Sequence, residues 1–131
     1  MRALRERGVR VFAGSDNIRD CWSPYGNGDM LDRASIIAAR HEMFTDRELG
    51  DALELVTSEA DRALGEPRRG LDPGAVADLV VVDSLSVADA VIDRPPRTLV
   101  LRAGRVAAEQ GILAGDLPWV GAAESLGRRR P

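Results

Sequence analysis

The sequence contains no lysine, a single cysteine, a single histidine and few aromatic residues. All 18 basic residues are therefore arginines, so this chain supplies no Schiff-base or Lys-carboxylate chemistry. Cys21 has no second cysteine to pair with, which excludes an internal disulfide and agrees with a reducing compartment. The N-terminal residues lack the apolar stretch of a secretory signal, and no apolar run approaches the roughly 20 residues of a membrane helix. We therefore expect a cytoplasmic protein without a membrane partner.

The charge balance argues against nucleic-acid binding. The net charge is −3, whereas contacts to phosphates call for a clear basic excess. Arg128–Arg130 form a basic run, but its place at the end of the chain favours a solvated terminus. Hydrophobic residues make up 44% and charged residues 30%, which is typical of a globular protein with a modest core.

The N-terminal part predicts a strand followed by a long loop. Val9–Gly14 is a short β-prone run that ends in glycine. Ser15–Asp29 is rich in Ser, Asp, Asn, Pro and Gly, so we expect a loop of a length that is usually functional. Within it, Asp20 and Asp29 are predicted to stabilise the local backbone, with Asp29 suited to the start of a helix.

Two helices are predicted next. Residues 30–43 have helical apolar spacing, and Thr45 with Glu48 forms a capping box that starts a second helix. Its apolar stripe continues to Leu64, and Gly65 stands where a left-handed C-cap belongs.

After Arg69 the pattern becomes that of a small β unit. The predicted elements are a turn at Leu71–Gly74, a strand at Ala77–Asp83, a short helical turn at Ser86–Val91, a strand at Thr98–Arg102 and its hairpin partner at Arg105–Ala108.

Asp16 is the first candidate for chemistry. It stands at the carboxyl end of the predicted strand, which is where β/α barrels place their catalytic residues. A carboxylate there can bind a metal or act as a general base. The local pattern alone is also compatible with an aspartate that only forms a turn.

Three stretches resemble the cytosine deaminase-like members of the amidohydrolase superfamily. Phe12–Leu31 looks like the last barrel strand and the loop after it. Gly70–Asp83 resembles the pattern G-L-x-x-G-x-x-A-D-L-V-V-x-D, which opens the return half of the amidohydrolase β-sandwich, and Thr98–Val106 resembles its closing hairpin. The resemblance implies an α/β fold: the C-terminal part of a metal-dependent β/α barrel, with its last strand and helices, plus part of a small β-sandwich.

The resemblance also implies a domain plan. Residues 1–69 would be the barrel part with the active-site loop, residues 70–108 the return segment of the sandwich, and residues 109–131 a C-terminal tail.

The resemblance assigns roles to three residues. Asp16 matches the aspartate that binds a single divalent metal, iron or zinc, and helps to move a proton during hydrolytic deamination. Asn17 matches a position that lines the substrate pocket, although cytosine deaminases have an acidic residue there. Trp22 matches an aromatic residue near the pocket, where a flat heterocycle could stack; packing as a loop anchor is an equal alternative.

The same family needs several further metal ligands, most of them histidines. His41 is the chain's one histidine and matches no ligand position, so we expect it to face solvent or cap a helix. A metal needs three or four protein ligands. The chain by itself is therefore expected to be inactive.

Three hypotheses for function follow. In the first, the chain belongs to a parent enzyme, which could be a homo-oligomer, that deaminates a cytosine-like heterocycle. In the second, favoured by Asn17, the parent acts on a triazine or another cyclic amidine or amide ring. In the third, the chain is a truncated remnant without catalytic activity.

Overall fold

Helices dominate the first half of the chain and strands the second. The computed structural model describes residues 2–66 and 69–114, so Arg128–Arg130 and most of the predicted tail lie outside the described residues. The elements are α1 (Arg2–Glu6), α2 (Met30–Arg40), α3 (Asp46–Leu55), α4 (Ser58–Leu64), β1 (Leu79–Val82), α5 (Val87–Asp93), β2 (Arg97–Arg102), β3 (Arg105–Glu109) and β4 (Ile112–Leu113). No helix in this part of the chain is long and apolar enough to cross a bilayer. The predicted α/β class is confirmed at this level.

Helix α2 begins and ends through local contacts. The Asp29 carboxylate accepts hydrogen bonds from the backbone amides of Leu31 and Asp32, as the sequence predicted for a helix start. The helix ends at Arg40, three residues before the predicted end, and exposed His41 is its C-cap as expected. One face of α2 buries Ala34, Ile37 and Ala38.

The second predicted helix is interrupted. The capping box is confirmed, because Thr45 Oγ1 accepts from the Glu48 amide while the Glu48 carboxylate accepts from the Thr45 amide. A single helix to Leu64 was wrong, since α3 ends at Leu55 and α4 starts at Ser58. At the break, Thr57 leaves helical geometry and its hydroxyl donates to the Leu53 carbonyl over 2.8 Å. Gly65 adopts the predicted left-handed conformation, with a φ of 70°.

The predicted strand at Val9–Gly14 is not formed among the described residues, and its place in a barrel stays a prediction. Among the described residues this segment pairs with no strand, and its side chains Val11 and Ala13 pack against the helical core. The Ala13 amide donates to the carbonyl of Leu55, the last residue of α3, over 2.9 Å. A strand exists only through pairing with a neighbouring strand, and here the neighbour is a helix end.

The core lies between α2, α3 and α5. Leu55 and Val91 are its largest fully buried side chains, and Ala52 and Ala34 fill the space around them. Helix α5 lies between β1 and β2 in the sequence and packs in this core, so the core joins the helical half to the sheet. Arg97 of β2 adds a second link, since its guanidinium pairs with the Asp29 carboxylate that caps α2.

The four strands form one antiparallel sheet in the order β1-β2-β3-β4. The tight turn at Ala103–Gly104 is confirmed, with both residues at positive φ. A second such turn at Gln110–Gly111 leads into β4, which was not predicted. The sheet therefore continues past residue 108, where the predicted sandwich segment ends.

A charged network joins α4 to the sheet through Asp78 and Arg69. The Asp78 carboxylate accepts from the Ala103 amide over 2.6 Å and from Arg69 Nε over 3.0 Å. Arg69 also pairs with Asp61 and Glu66. The Ala103 amide, followed by the arginines, lowers the pKa of Asp78 below its ordinary value.

This lowered pKa predicts an acid-dependent contribution to stability. A carboxyl group whose folded pKa is depressed stabilises the fold above its unfolded pKa of about 3.9, and that contribution is lost as the pH falls through the folded value. We expect Asp78→Asn to lower the free energy of unfolding by about 1–3 kcal/mol near pH 7. The difference from the unsubstituted chain should shrink below about pH 4.

Urea unfolding between pH 7 and pH 3 measures this difference. Asp83→Asn is the matched control, because Asp83 is exposed in the segment after β1. A constant difference between Asp78→Asn and the unsubstituted chain across this range would contradict the prediction.

Candidate active site

Asp16 stands at the start of the long loop, directly after segment 9–14. It is exposed and adopts a left-handed backbone with a φ of 57°, a conformation that aspartate and asparagine tolerate better than most residues. The carbonyl of Ser15, directly before it, accepts from Arg33 Nη2 over 3.0 Å. Helix α2 therefore holds the backbone at this turn through Arg33.

Arg33 was not singled out from the sequence. It follows the α2 cap Asp29 by four residues, so helical spacing places both on one face near the start of the helix. Its Nε is buried and has no hydrogen-bond partner within residues 2–66 and 69–114.

The loop after Asp16 folds back on itself. The Arg19 amide donates to the Tyr25 carbonyl over 2.9 Å, and the Asp20 amide donates to the Ser23 carbonyl over 3.0 Å. Arg19 Nε adds a bond to the Gly26 carbonyl over 3.1 Å. A side chain at Gly26 would approach the Asn17 carbonyl to 3.2 Å at a φ of 96°, so this close return favours glycine. The loop is an ordered unit built from its own contacts.

Asp20 lies at the centre of this loop. One carboxylate oxygen accepts from the amides of Trp22 and Ser23, each over 2.9 Å, and the other accepts from Asn17 Nδ2 over 2.6 Å. The Ser23 amide first, then the Asn17 side chain and the Trp22 amide, lower the pKa of Asp20. The loop-stabilising role predicted for Asp20 is confirmed, and its bond to Asn17 is a contact that the sequence analysis missed.

Two aromatic side chains extend from the loop into solvent. Trp22 is 85% exposed and Tyr25 is 80% exposed. Trp22 is thus not packed as a loop anchor against the described residues, and its indole is open to contact with a flat ligand. Cys21, next to it, is a free and exposed thiol.

The loop brings the three predicted site residues onto one short unit. Asn17 adjoins Asp16, and Trp22 is tied to Asn17 through the Asp20 carboxylate. Asp16 offers an exposed carboxylate, a ligand type that zinc and iron accept. Among the described residues, no group of three or more His, Cys, Asp or Glu side chains is placed to hold a metal ion. The loop therefore fits one position of a metal site whose other ligands would come from elsewhere.

Comparison with known sequences identifies related proteins. A model described as the amidohydrolase family matches residues 1–115. The chain is 43% identical over 111 residues to N-isopropylammelide isopropyl amidohydrolase of a Pseudomonas species (strain ADP). That match covers 84% of this chain and 28% of the relative. This chain thus spans less than a third of the length of that relative.

Comparison with solved structures agrees. N-isopropylammelide isopropylaminohydrolase from Burkholderia multivorans superimposes with a TM-score of 0.82 at 47% identity, over 86% of this chain and 29% of that one. A 5-methylcytosine deaminase from Klebsiella pneumoniae, solved with 5-fluorocytosine, superimposes with a TM-score of 0.74 at 27% identity. That match covers 90% of this chain and 29% of the deaminase.

Proposed function

Because the chain belongs to the amidohydrolase family, we propose that it is the C-terminal part of an enzyme that hydrolytically removes an amino or alkylamino group from a nitrogen heterocycle. The observation that carries this proposal is the likeness, at 47% identity and over 86% of the chain, to N-isopropylammelide isopropylaminohydrolase. The chain spans 29% of that relative, so the proposed activity belongs to the complete protein. We place that protein in the cytoplasm.

In this proposal residues 1–69 complete a β/α barrel. Segment 9–14 would be its last strand, paired with strands supplied by the rest of the protein. The strand propensity of this segment and the match of the amidohydrolase family model to residues 1–115 support this assignment. Residues 70–108 would form the return part of a β-sandwich.

Asp16 would be the metal ligand that this chain contributes, together with a role in moving protons during hydrolysis. Its exposed carboxylate and its position at the start of the folded loop support this role. When bound, a single zinc or iron ion would supply Lewis-acid activation of water. Asn17 would contact a polar edge of the ring, and the exposed face of Trp22 would stack on the ring.

Two substrate classes are candidates. A substituted triazine such as N-isopropylammelide is favoured by the 43% and 47% identities to enzymes named for it. A cytosine-like ring is favoured by the match to 5-methylcytosine deaminase, which is equally extensive along this chain. Asn17 gives weight to the triazine class, because the resemblance places an acidic residue at this position in cytosine deaminases.

An assay of the complete protein tests the proposal. We expect the protein, purified with zinc or iron, to release isopropylamine from N-isopropylammelide or ammonia from cytosine or 5-methylcytosine. Metal removal by a chelator should abolish this release, and addition of the ion should restore it. A correctly folded, metal-loaded protein that turns over none of these rings would overturn the proposal and favour a remnant without catalytic activity.

A further inference from the structure

The side chain of Asn17 is held by Asp20. Asn17 Nδ2 donates to Asp20 Oδ2 over 2.6 Å, while Asp20 Oδ1 accepts from the backbone amides of Trp22 and Ser23, each over 2.9 Å. Asp20 is therefore fastened to the loop backbone by one oxygen and holds Asn17 with the other. The Asn17 side chain is half-buried, which limits the room for other arrangements.

The chemistry of the pair leaves one orientation for the Asn17 amide. An ionised carboxylate only accepts hydrogen bonds, so the amide nitrogen must face Asp20. The surrounding donors lower the pKa of Asp20, which keeps the carboxylate ionised at neutral pH. The amide oxygen Oδ1 then lies on the other side of the amide group. Within residues 2–66 and 69–114, the structure shows no hydrogen bond to Asn17 Oδ1.

We infer that Asp20 is a positioning residue that makes Asn17 present a hydrogen-bond acceptor, rather than a donor, to the substrate. This inference rests on the function proposed above, in which Asn17 lies beside the reacting ring. In this inference Asp20 sets the orientation of Asn17 and does not itself contact the ring, so it is not a catalytic residue. The substrate class that follows is a nitrogen heterocycle with a ring N–H or an amino N–H at the edge facing Asn17.

Asp20→Asn in the complete enzyme tests this inference with almost no change of shape. The introduced amide oxygen can still accept from the Trp22 and Ser23 amides, while its NH2 group replaces the oxygen that faced Asn17. Asn17 then has to turn its oxygen inward and its nitrogen toward the substrate. We expect KM for an N–H-bearing ring to rise about tenfold, the effect of one hydrogen bond, with kcat nearly unchanged.

The double variant Asn17→Asp/Asp20→Asn is the rescue. There the introduced amide donates to the introduced carboxylate, whose other oxygen again offers an acceptor to the ring, so KM should return toward the original value. Asp32→Asn is the matched control, because Asp32 accepts from Asn27 Nδ2 over 2.8 Å in a similar pair. This control should leave KM unchanged.

Side-chain amide NMR of the chain measures the orientation without any assay. The sequence has two asparagines and one glutamine, so three NH2 pairs are expected. Asp20→Asn should shift the Asn17 pair and leave the Asn27 pair in place, and Asp32→Asn should do the reverse. An unshifted Asn17 pair in the folded Asp20→Asn variant would refute the inference.

The kinetic outcomes separate the two proposals. If the enzyme is active and Asp20→Asn leaves its KM unchanged, the positioning role of Asp20 is refuted, but the proposed function is not. If Asp20→Asn lowers kcat as much as it raises KM, and the double variant restores neither, Asp20 has a merely structural role. That outcome also refutes the inference. If the enzyme is inactive toward every ring, the proposed function is refuted. The proposed contact between Asn17 and the substrate is then refuted as well.

Discussion

Asp16→Asn is expected to cause the largest loss of activity in the complete enzyme. The substitution removes the negative charge and the proton-accepting carboxylate, and a positioned acid or base accounts for roughly 10²–10⁴-fold in rate. Asparagine suits the test because it tolerates the left-handed backbone that Asp16 adopts at a φ of 57°. The loss of kcat/KM can then be assigned to the missing carboxylate rather than to a distorted turn.

Metal content and kcat/KM, measured together on the purified enzyme, check this expectation. A lower metal content identifies Asp16 as a ligand, whereas full occupancy with low activity identifies proton transfer as its main task. Asp83→Asn is the control, since it removes an exposed carboxylate from the segment after β1. An Asp16→Asn enzyme within tenfold of the original activity would contradict both roles.

Local contacts explain which parts of the fold were predictable. The capping pair Thr45–Glu48, the Asp29 cap and the left-handed Gly65 depend on residues within four positions of one another, and all three are present. The break at Thr57 is also local, but its hydroxyl bond to the Leu53 carbonyl competes with a helical pattern that runs on without interruption.

Long-range contacts explain what was missed. Val9–Gly14 has strand propensity, but propensity does not supply a partner, and in the structure the Ala13 amide pairs with a helix end. Strand β4 was not predicted, because it is short and its pairing with β3 depends on the turn at Gln110–Gly111.

The candidate site shows the same division. The loop-stabilising role of Asp20 was predicted from its residue type, whereas its bond to Asn17 and the hold of Arg33 on Ser15 are particular side-chain contacts. The metal-binding role of Asp16 stays a prediction, because it depends on ligands beyond the residues described.

The second large effect is expected from Leu55→Ala in the core. Leu55 is fully buried between α2, α3 and α5, so the substitution removes three buried heavy atoms and leaves a cavity. Such changes lower the free energy of unfolding by about 2–5 kcal/mol. The total stability of a domain is about 5–15 kcal/mol, so this loss is a large part of it.

Urea unfolding of the chain measures the loss, with Leu64→Ala as the matched control. Leu64 lies in the neighbouring helix α4 and is 68% exposed, so the same change there should cost within about 0.5 kcal/mol of zero. Leu55→Met serves as a graded variant, since a swap of similar volume costs less than about 1.5 kcal/mol. Equal losses for Leu55→Ala and Leu64→Ala would show that the three helices do not form the core described here. The carbonyl of residue 55 also accepts from the Ala13 amide. If the backbone at position 55 moves toward the cavity in Leu55→Ala, the segment that leads to Asp16 should loosen.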